Sequence, residues 1–106
     1  MLKAVFFESG SDSLGGFEIS GHAGYGTEGN DIVCAAVSSC TMLVCNCVTD
    51  SFKAKADVTV EENRITLKLS ERDEPSEKLI KALYEHFSIL SEDYSKIKVT
   101  LRRLSQ

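Results

Sequence analysis

Residues 20–39 read SGHAGYGTEGNDIVCAAVSS, and the hydrophobic period changes inside this stretch. On its N-terminal side Phe17, Ile19 and Gly21 alternate with Glu18, Ser20 and His22, the two-residue repeat of a strand that would carry His22 on its polar face as its last residue. On its C-terminal side Val33, Ala36, Val37, Cys40, Val44, Cys47 and Val48 recur at the i, i+3, i+4, i+7 spacing of a helix face. Gly24, Gly26 and Gly29 loosen the connection between them, and Asn30-Asp31 is a helix-start signal. The stretch is therefore strand, glycine loop and helix, with a histidine before the loop and a cysteine just after it.

Outward from this centre, Leu2 to Glu8 alternates Leu2, Ala4 and Phe6 against Lys3, Val5 and Phe7, which suits a strand covered on both faces, and Ser9 to Gly16 reads as a turn. Toward the C-terminus, Ala56–Glu61 and Arg64–Leu69 alternate around a tight turn at Glu62-Asn63. Pro75 opens a second helix with the stripe Leu79, Ile80, Leu83, Phe87 and Leu90, and an exposed face of Glu77, Lys78, Lys81, Glu85 and Glu92. Ile97, Val99 and Leu101 alternating with Lys98, Thr100 and Arg102 give a last strand. The order ββαββαβ is that of an α+β domain, with a five-stranded, mainly antiparallel or mixed sheet and two helices.

A chain of 106 residues, 42% hydrophobic and 26% charged, with one proline and seven glycines, has the usage of one globular domain spanning 1–106, with no linker or repeat. The net charge of −4 makes nucleic acid a poor direct partner, because phosphate binding rests on Lys and Arg. A solvated strand face accounts for the cluster Lys96, Lys98, Arg102 and Arg103. The opening MLKAVFFESG lacks a secretory pattern, so a reducing cytoplasm and thiols without disulfides are expected. On a helix rising about 1.5 Å per residue, Cys40 and Cys47 stand roughly 10 Å apart, too far to bridge. No Asp, Glu, Lys or Arg occurs between Asp31 and Asp50, a length touching the lower limit for a membrane span. Ser38, Ser39, Thr41, Asn46 and Thr49 interrupt it, so the reading is no membrane but a helix buried on most sides, between the sheet and a partner subunit.

With Asp31 as N-cap, Cys34 stands at the third helical position, where backbone N–H groups and the helix dipole stabilise negative charge. Helix starts and a neighbouring imidazolium are the two common ways of holding a cysteine as the nucleophilic thiolate, and His22 could supply the second. The N–H groups of Val33 and Cys34 could then hold the oxyanion formed when a thiolate attacks a peptide carbonyl. Ser38, one turn after Cys34, faces the same way, and Asp31 or Ser38 could support the imidazole. Packing alone would account for Cys40 and Cys47, and for Cys34 the residues leave open both a catalytic pair with His22 and a buried thiol. His86, between Glu85 and Phe87, reads as a surface residue. Cys45-x-Cys47 lacks the spacing of a zinc site, so no metal or other cofactor is called for. Gly24-Tyr25-Gly26-Thr27-Glu28-Gly29 fits the dinucleotide pattern GxGxxG. The chain is too short for two nucleotide-binding halves and places Glu28 and Asp31 where phosphate would sit, so the loop reads as a mobile flap over the thiol.

Gly21-His22-Ala23, Gly29 and Asp31-Ile32-Val33-Cys34-Ala35-Ala36-Val37-Ser38 together resemble the signature of the bacterial ribosomal-processing cysteine proteases, the Prp or YsxB-like family, and length and element order are similar from end to end. The resemblance implies a cysteine endopeptidase with Cys34 as nucleophile, His22 as general base, Asp31 and Ser38 in supporting roles, and the loop of Gly24, Tyr25, Gly26 and Gly29 over the cleft. It implies a homodimer. It also implies a ribosomal protein precursor as peptide substrate: the short N-terminal extension of a large-subunit protein, number twenty-seven, cut after two aromatic residues. Cys40, Cys45 and Cys47 are not signature positions. Glu18, Glu28 and Asp31 would give the cleft a negative field that draws in a basic ribosomal protein. The alternative is a non-catalytic peptide-binding factor of ribosome assembly using the same cleft.

Overall fold

The computed structural model describes residues 1–10, 13–21 and 32–103. Its elements run β1 (Leu2–Glu8), β2 (Leu14–Gly21), α1 (Ile32–Asn46) continued by a π-helical turn (Cys47–Ser51), β3 (Ala56–Glu61), β4 (Arg64–Leu69), α2 (Glu74–Asp93) and β5 (Ile97–Arg103). The strands form one mixed sheet in the order β3-β4-β2-β1-β5, antiparallel except where β5 lies parallel to β1. The element order is the one read from the sequence.

Both helices cover the same face, and connectivity explains why. The chain passes from β2 through α1 to β3 in one direction along the sheet, and from β4 through α2 to β5 in the other. The second pair of strands points opposite to the first, so two crossovers of one hand place their helices on one side. The core forms there, with Leu2, Ala4, Phe6, Phe17, Ile19 and Leu67 from the sheet against Val33, Val37, Val44 and Val48 from α1 and its π turn and Ile80, Leu83 and Phe87 from α2. Phe6 is its centre, with ring centroids 5.8 Å from Phe17, 6.2 Å from Phe87 and 5.3 Å from Tyr84.

The other face carries Lys3, Val5 and Phe7 of β1 beside Lys98, Thr100 and Arg102 of β5, so β1 is not covered on both sides as its apolar content suggested. Lys3 is exposed, and Phe7 is shielded by Lys68, whose Nζ lies 5.1 Å from the ring centroid. Lys68 reaches across Gly16, its cross-strand partner. Gly16 belongs to β2, which begins at Leu14, three residues before the alternation at Phe17 announces it. A Cβ at Gly16 would stand 2.3 Å from the Leu67 carbonyl oxygen, so close approach of β4 demands the glycine that made the segment read as a turn.

Helix α1 also departs from its pattern. Val33, Val37, Thr41, Val44 and Cys45 are buried, whereas Ala36 is exposed and Cys40 half-buried. Thr41 enters the core because its Oγ1 donates to the Val37 carbonyl at 2.7 Å, which satisfies the hydroxyl without an outside partner. The π turn then rotates the chain so that Val48 is buried and Cys47 is not. Residues 32–51 are long and apolar enough, by length and composition, to cross a membrane, and a third of that stretch is buried against the rest of the domain. The solvent side keeps Ile32, Ala35, Ala36, Ser38, Ser39 and Leu43 exposed, so within one chain the helix is buried on one side only.

In α2, Ile80, Leu83 and Phe87 are buried, with Leu79 and Leu90 packed against them. Glu77, expected on the exposed face, is buried instead. Arg72 pairs with it at 2.8 Å, Ser13 Oγ donates to it at 2.9 Å and the Asp73 N–H at 2.8 Å, so its charge is satisfied where it sits. His86 is exposed, as expected.

Candidate active site

Cys34 is the third residue of α1 and half-buried. The first four N–H groups of a helix find no acceptor inside it, and those of Val33 and Cys34 are among the four. Val33 turns its side chain into the core, which fixes the rotation of the first turn and aims Cys34 toward the end of the sheet rather than into it. Ser38, one turn on, is exposed on the same side.

The thiol lines a cleft of about 90 Å³ at the end of β2. Leu2, Ile19, Val37 and Ile65 form the apolar part of its lining, and Ser20, Ser38, Glu62, Asn63 and Arg64 the polar part. Gly21 borders this space. On the covered face the cross-strand neighbours Ala4, Ile19 and Ile65 form one row, and in the next Leu2 faces Gly21, which fills nothing. No larger residue can stand there, since Gly21 has φ +84 and a Cβ would lie 2.3 Å from the Met1 carbonyl oxygen. Its N–H donates to the Asn63 carbonyl at 3.1 Å, which ties the end of β2, immediately before His22 in sequence, to the β3–β4 turn.

Of the site residues read from sequence, Cys34 and Ser38 come together at this cleft, while Val33, one residue before Cys34, turns its side chain into the core. His22, Asp31 and the loop positions Gly24, Tyr25, Gly26 and Gly29 lie outside the described residues, as does Glu28. The turn at Glu62-Asn63 and Ile65 were missed as site components. Their only signal was a hairpin pattern, and the strand order that brings β4 beside β2 is not written in any local stretch. Glu18 is placed differently from expectation: it pairs with Val5 and Thr66 on the uncovered face, opposite the side on which α1 packs, so its charge does not line the cleft.

The remaining cysteines separate from Cys34. All four are thiols without a disulfide, and none of the other three lines the cleft. Burial pushes the Cys45 thiol up to about 11, which keeps it protonated and unreactive at neutral pH. Among the described residues no three His, Cys, Asp or Glu side chains converge as metal ligands.

Comparison with known proteins bears on the family and the fold. The model of the family described as cysteine protease Prp matches residues 1–99. No curated protein gives a significant sequence match. Among solved structures, the essential ribosomal processing protease Prp from S. aureus, in complex with a covalently linked product peptide, superposes with a TM-score of 0.88 at 16% identity, covering 96% of this chain and 100% of that one. The same S. aureus protease with a substrate peptide gives 0.79 at 15% identity, over 98% of this chain and 100% of that one. SMU.848 from Streptococcus mutans gives 0.83 at 27% identity, over 98% and 96%.

Proposed function

Since the chain belongs to the cysteine protease Prp family and is a cysteine protease, we propose that it removes the N-terminal extension of a large-subunit ribosomal protein precursor, number twenty-seven, with Cys34 as nucleophile and His22 as general base. The observation that carries this reading is the position of Cys34, at the start of α1 and on the wall of an apolar cleft beside Gly21. The S. aureus relatives are described as ribosomal processing proteases with substrate and product peptides, one of them covalently linked, which supports a peptide substrate and a covalent intermediate here.

In this mechanism His22 takes the Cys34 proton, and the thiolate adds to the scissile carbonyl. The carbonyl oxygen becomes an oxyanion accepting hydrogen bonds from the N–H groups of Val33 and Cys34 at the positive end of α1. The C–N bond then breaks, the His22 imidazolium gives its proton to the leaving amine, and water, deprotonated by His22, releases the acyl group from sulfur. Asp31 and Ser38 support the histidine, and the loop of Gly24, Tyr25, Gly26 and Gly29 closes over the peptide.

The enzyme acts in the cytoplasm as a homodimer. Ile32 and Leu43, 83% and 64% exposed, stand with Ala35 and Ala36 on the uncharged outer side of α1, which a second copy would cover. Incubation of the protein and its Cys34→Ala variant with the extended ribosomal precursor, followed by product masses, tests the assignment. One cut after the aromatic pair by the native protein alone is expected. An intact precursor, or equal cutting by the variant, would overturn it. In sedimentation Leu43→Asp should run as a monomer; an unchanged mass removes this helix from the interface.

A further inference from the structure

The cleft is bordered by Gly21 and walled in part by a residue that neither the motif nor the chemistry involves, Ile65. Strand β4 lies beside β2 with Ile65 opposite Ile19, one row in from Gly21. Ile65 is only half-buried although it packs against the core, so part of its side chain faces the open space below Cys34. Around that space Leu2, Ile19 and Val37 are held rigidly by the core, each no more than 6% exposed. Ile65 is therefore the apolar wall residue whose size can change without displacing the centre of the domain.

We propose that Ile65, half-buried in the wall of the cleft that Cys34 lines, determines which apolar side chain of the substrate can be seated beside the cut. This rests on the peptidase reading of the Cys34 cleft. The cleft of about 90 Å³ is smaller than the apolar cavity of roughly 150 Å³ that accommodates benzene. A leucine-sized side chain enters fully, whereas an aromatic ring enters edge-first and leaves part of its surface at the mouth. Specificity at this wall is set by volume, because Ile65 offers a substrate side chain only apolar contact. The polar edge supplied by the β3–β4 turn meets the peptide backbone, since Asn63 is already held against Gly21.

The test is kcat/KM for peptides in which each of the two residues before the cut is in turn alanine, leucine or phenylalanine, with native protein, Ile65→Ala, Ile65→Val and Ile65→Phe. At one of the two positions Ile65→Ala should raise the preference for phenylalanine over leucine by about tenfold, Ile65→Val should do so less, and Ile65→Phe should reverse it. Ile89→Ala, on the exposed side of α2 and away from the cleft, should leave the ratio unchanged. Circular dichroism identifies folded variants, and iodoacetamide labelling of Cys34 should proceed at the native rate in all of them. A ratio that does not move at either position in folded Ile65→Val and Ile65→Phe overturns the proposal while leaving the protease assignment intact. If the native protein cuts none of the peptides, their fluorescence anisotropy with Cys34→Ala decides: binding that follows the size of residue 65 upholds the slot although the substrate assignment falls, and binding indifferent to it overturns both.

Discussion

The two helices of this domain begin in opposite ways. At α2 the positive end of the helix is closed by the protein's own carboxylates: Asp73 accepts from the Ser76 N–H, and buried Glu77 accepts from the Asp73 N–H, Arg72 and Ser13. At α1 the first turn carries no acidic residue, and it places a thiol beside an open cleft. The same backbone dipoles therefore do different work. The first turn of α2 holds the fold together by fastening the β1–β2 connection to α2 through Ser13, and the first turn of α1 presents Cys34 to the cleft.

The sharpest way to break this contrast is to remove the thiol. Cys34→Ala should lower peptide cleavage by about 10⁴-fold or more, as removal of a covalent nucleophile does, while urea unfolding stays within about 1 kcal/mol of native. Residual cleavage within tenfold of native would place the nucleophile elsewhere. A second measurement compares thiols within the one helix. With its thiol at about 11 instead of 9, Cys45 holds about a hundredfold less thiolate at pH 8. Mass-resolved alkylation should label Cys34 first and Cys45 only on unfolding. Prompt labelling of Cys45 would show that α1 opens as a whole.

Much of this architecture was legible locally. β3, β4 and the α2 stripe have periods that burial on one face enforces, and the bounds of β3 and β4 were read to the residue. What escaped was set by partners distant in sequence. Gly16 looks like a turn until β4 passes within contact of its backbone. Glu77 looks like a surface residue until Arg72 and Ser13 neutralise it. Thr41 looks polar until its hydroxyl turns back on its own helix. At the site, the cysteine and its helix start could be read because both lie within one turn. The wall formed by Ile65 could not, because strand order put it there.

On the other side of the comparison, Glu77→Ala should cost about 1–3 kcal/mol of stability at pH 7, the loss expected for a buried carboxylate with several donors. The rate of Cys34 alkylation should not change. A variant with native stability would mean that the cluster at α2 forms without stabilising anything, and a slowed alkylation would mean that the two helix starts are coupled rather than independent.

The smallest effect is the most diagnostic, because it separates charge from packing at Glu77. The Arg72 guanidinium, chiefly by hydrogen bonding, holds this carboxyl below the usual carboxylate range, against a burial contribution that acts the other way. A folded-state pKa below the unfolded one means that the unfolded chain binds more protons through the interval between them, so stability rises with pH there. The contribution is complete above the ordinary glutamate value of about 4.3 and disappears as pH falls through the lower folded value. Glu77→Gln keeps the shape and removes the charge. Urea unfolding of native protein and variant at pH 7, 5, 4 and 3 should give a gap that is constant from 7 to 5 and narrows steadily below about 4.3. No gap between native protein and variant at pH 7 would show that Glu77 stabilises α2 by its volume and not by its charge, and the contrast between the first turns of the two helices would lose its electrostatic basis.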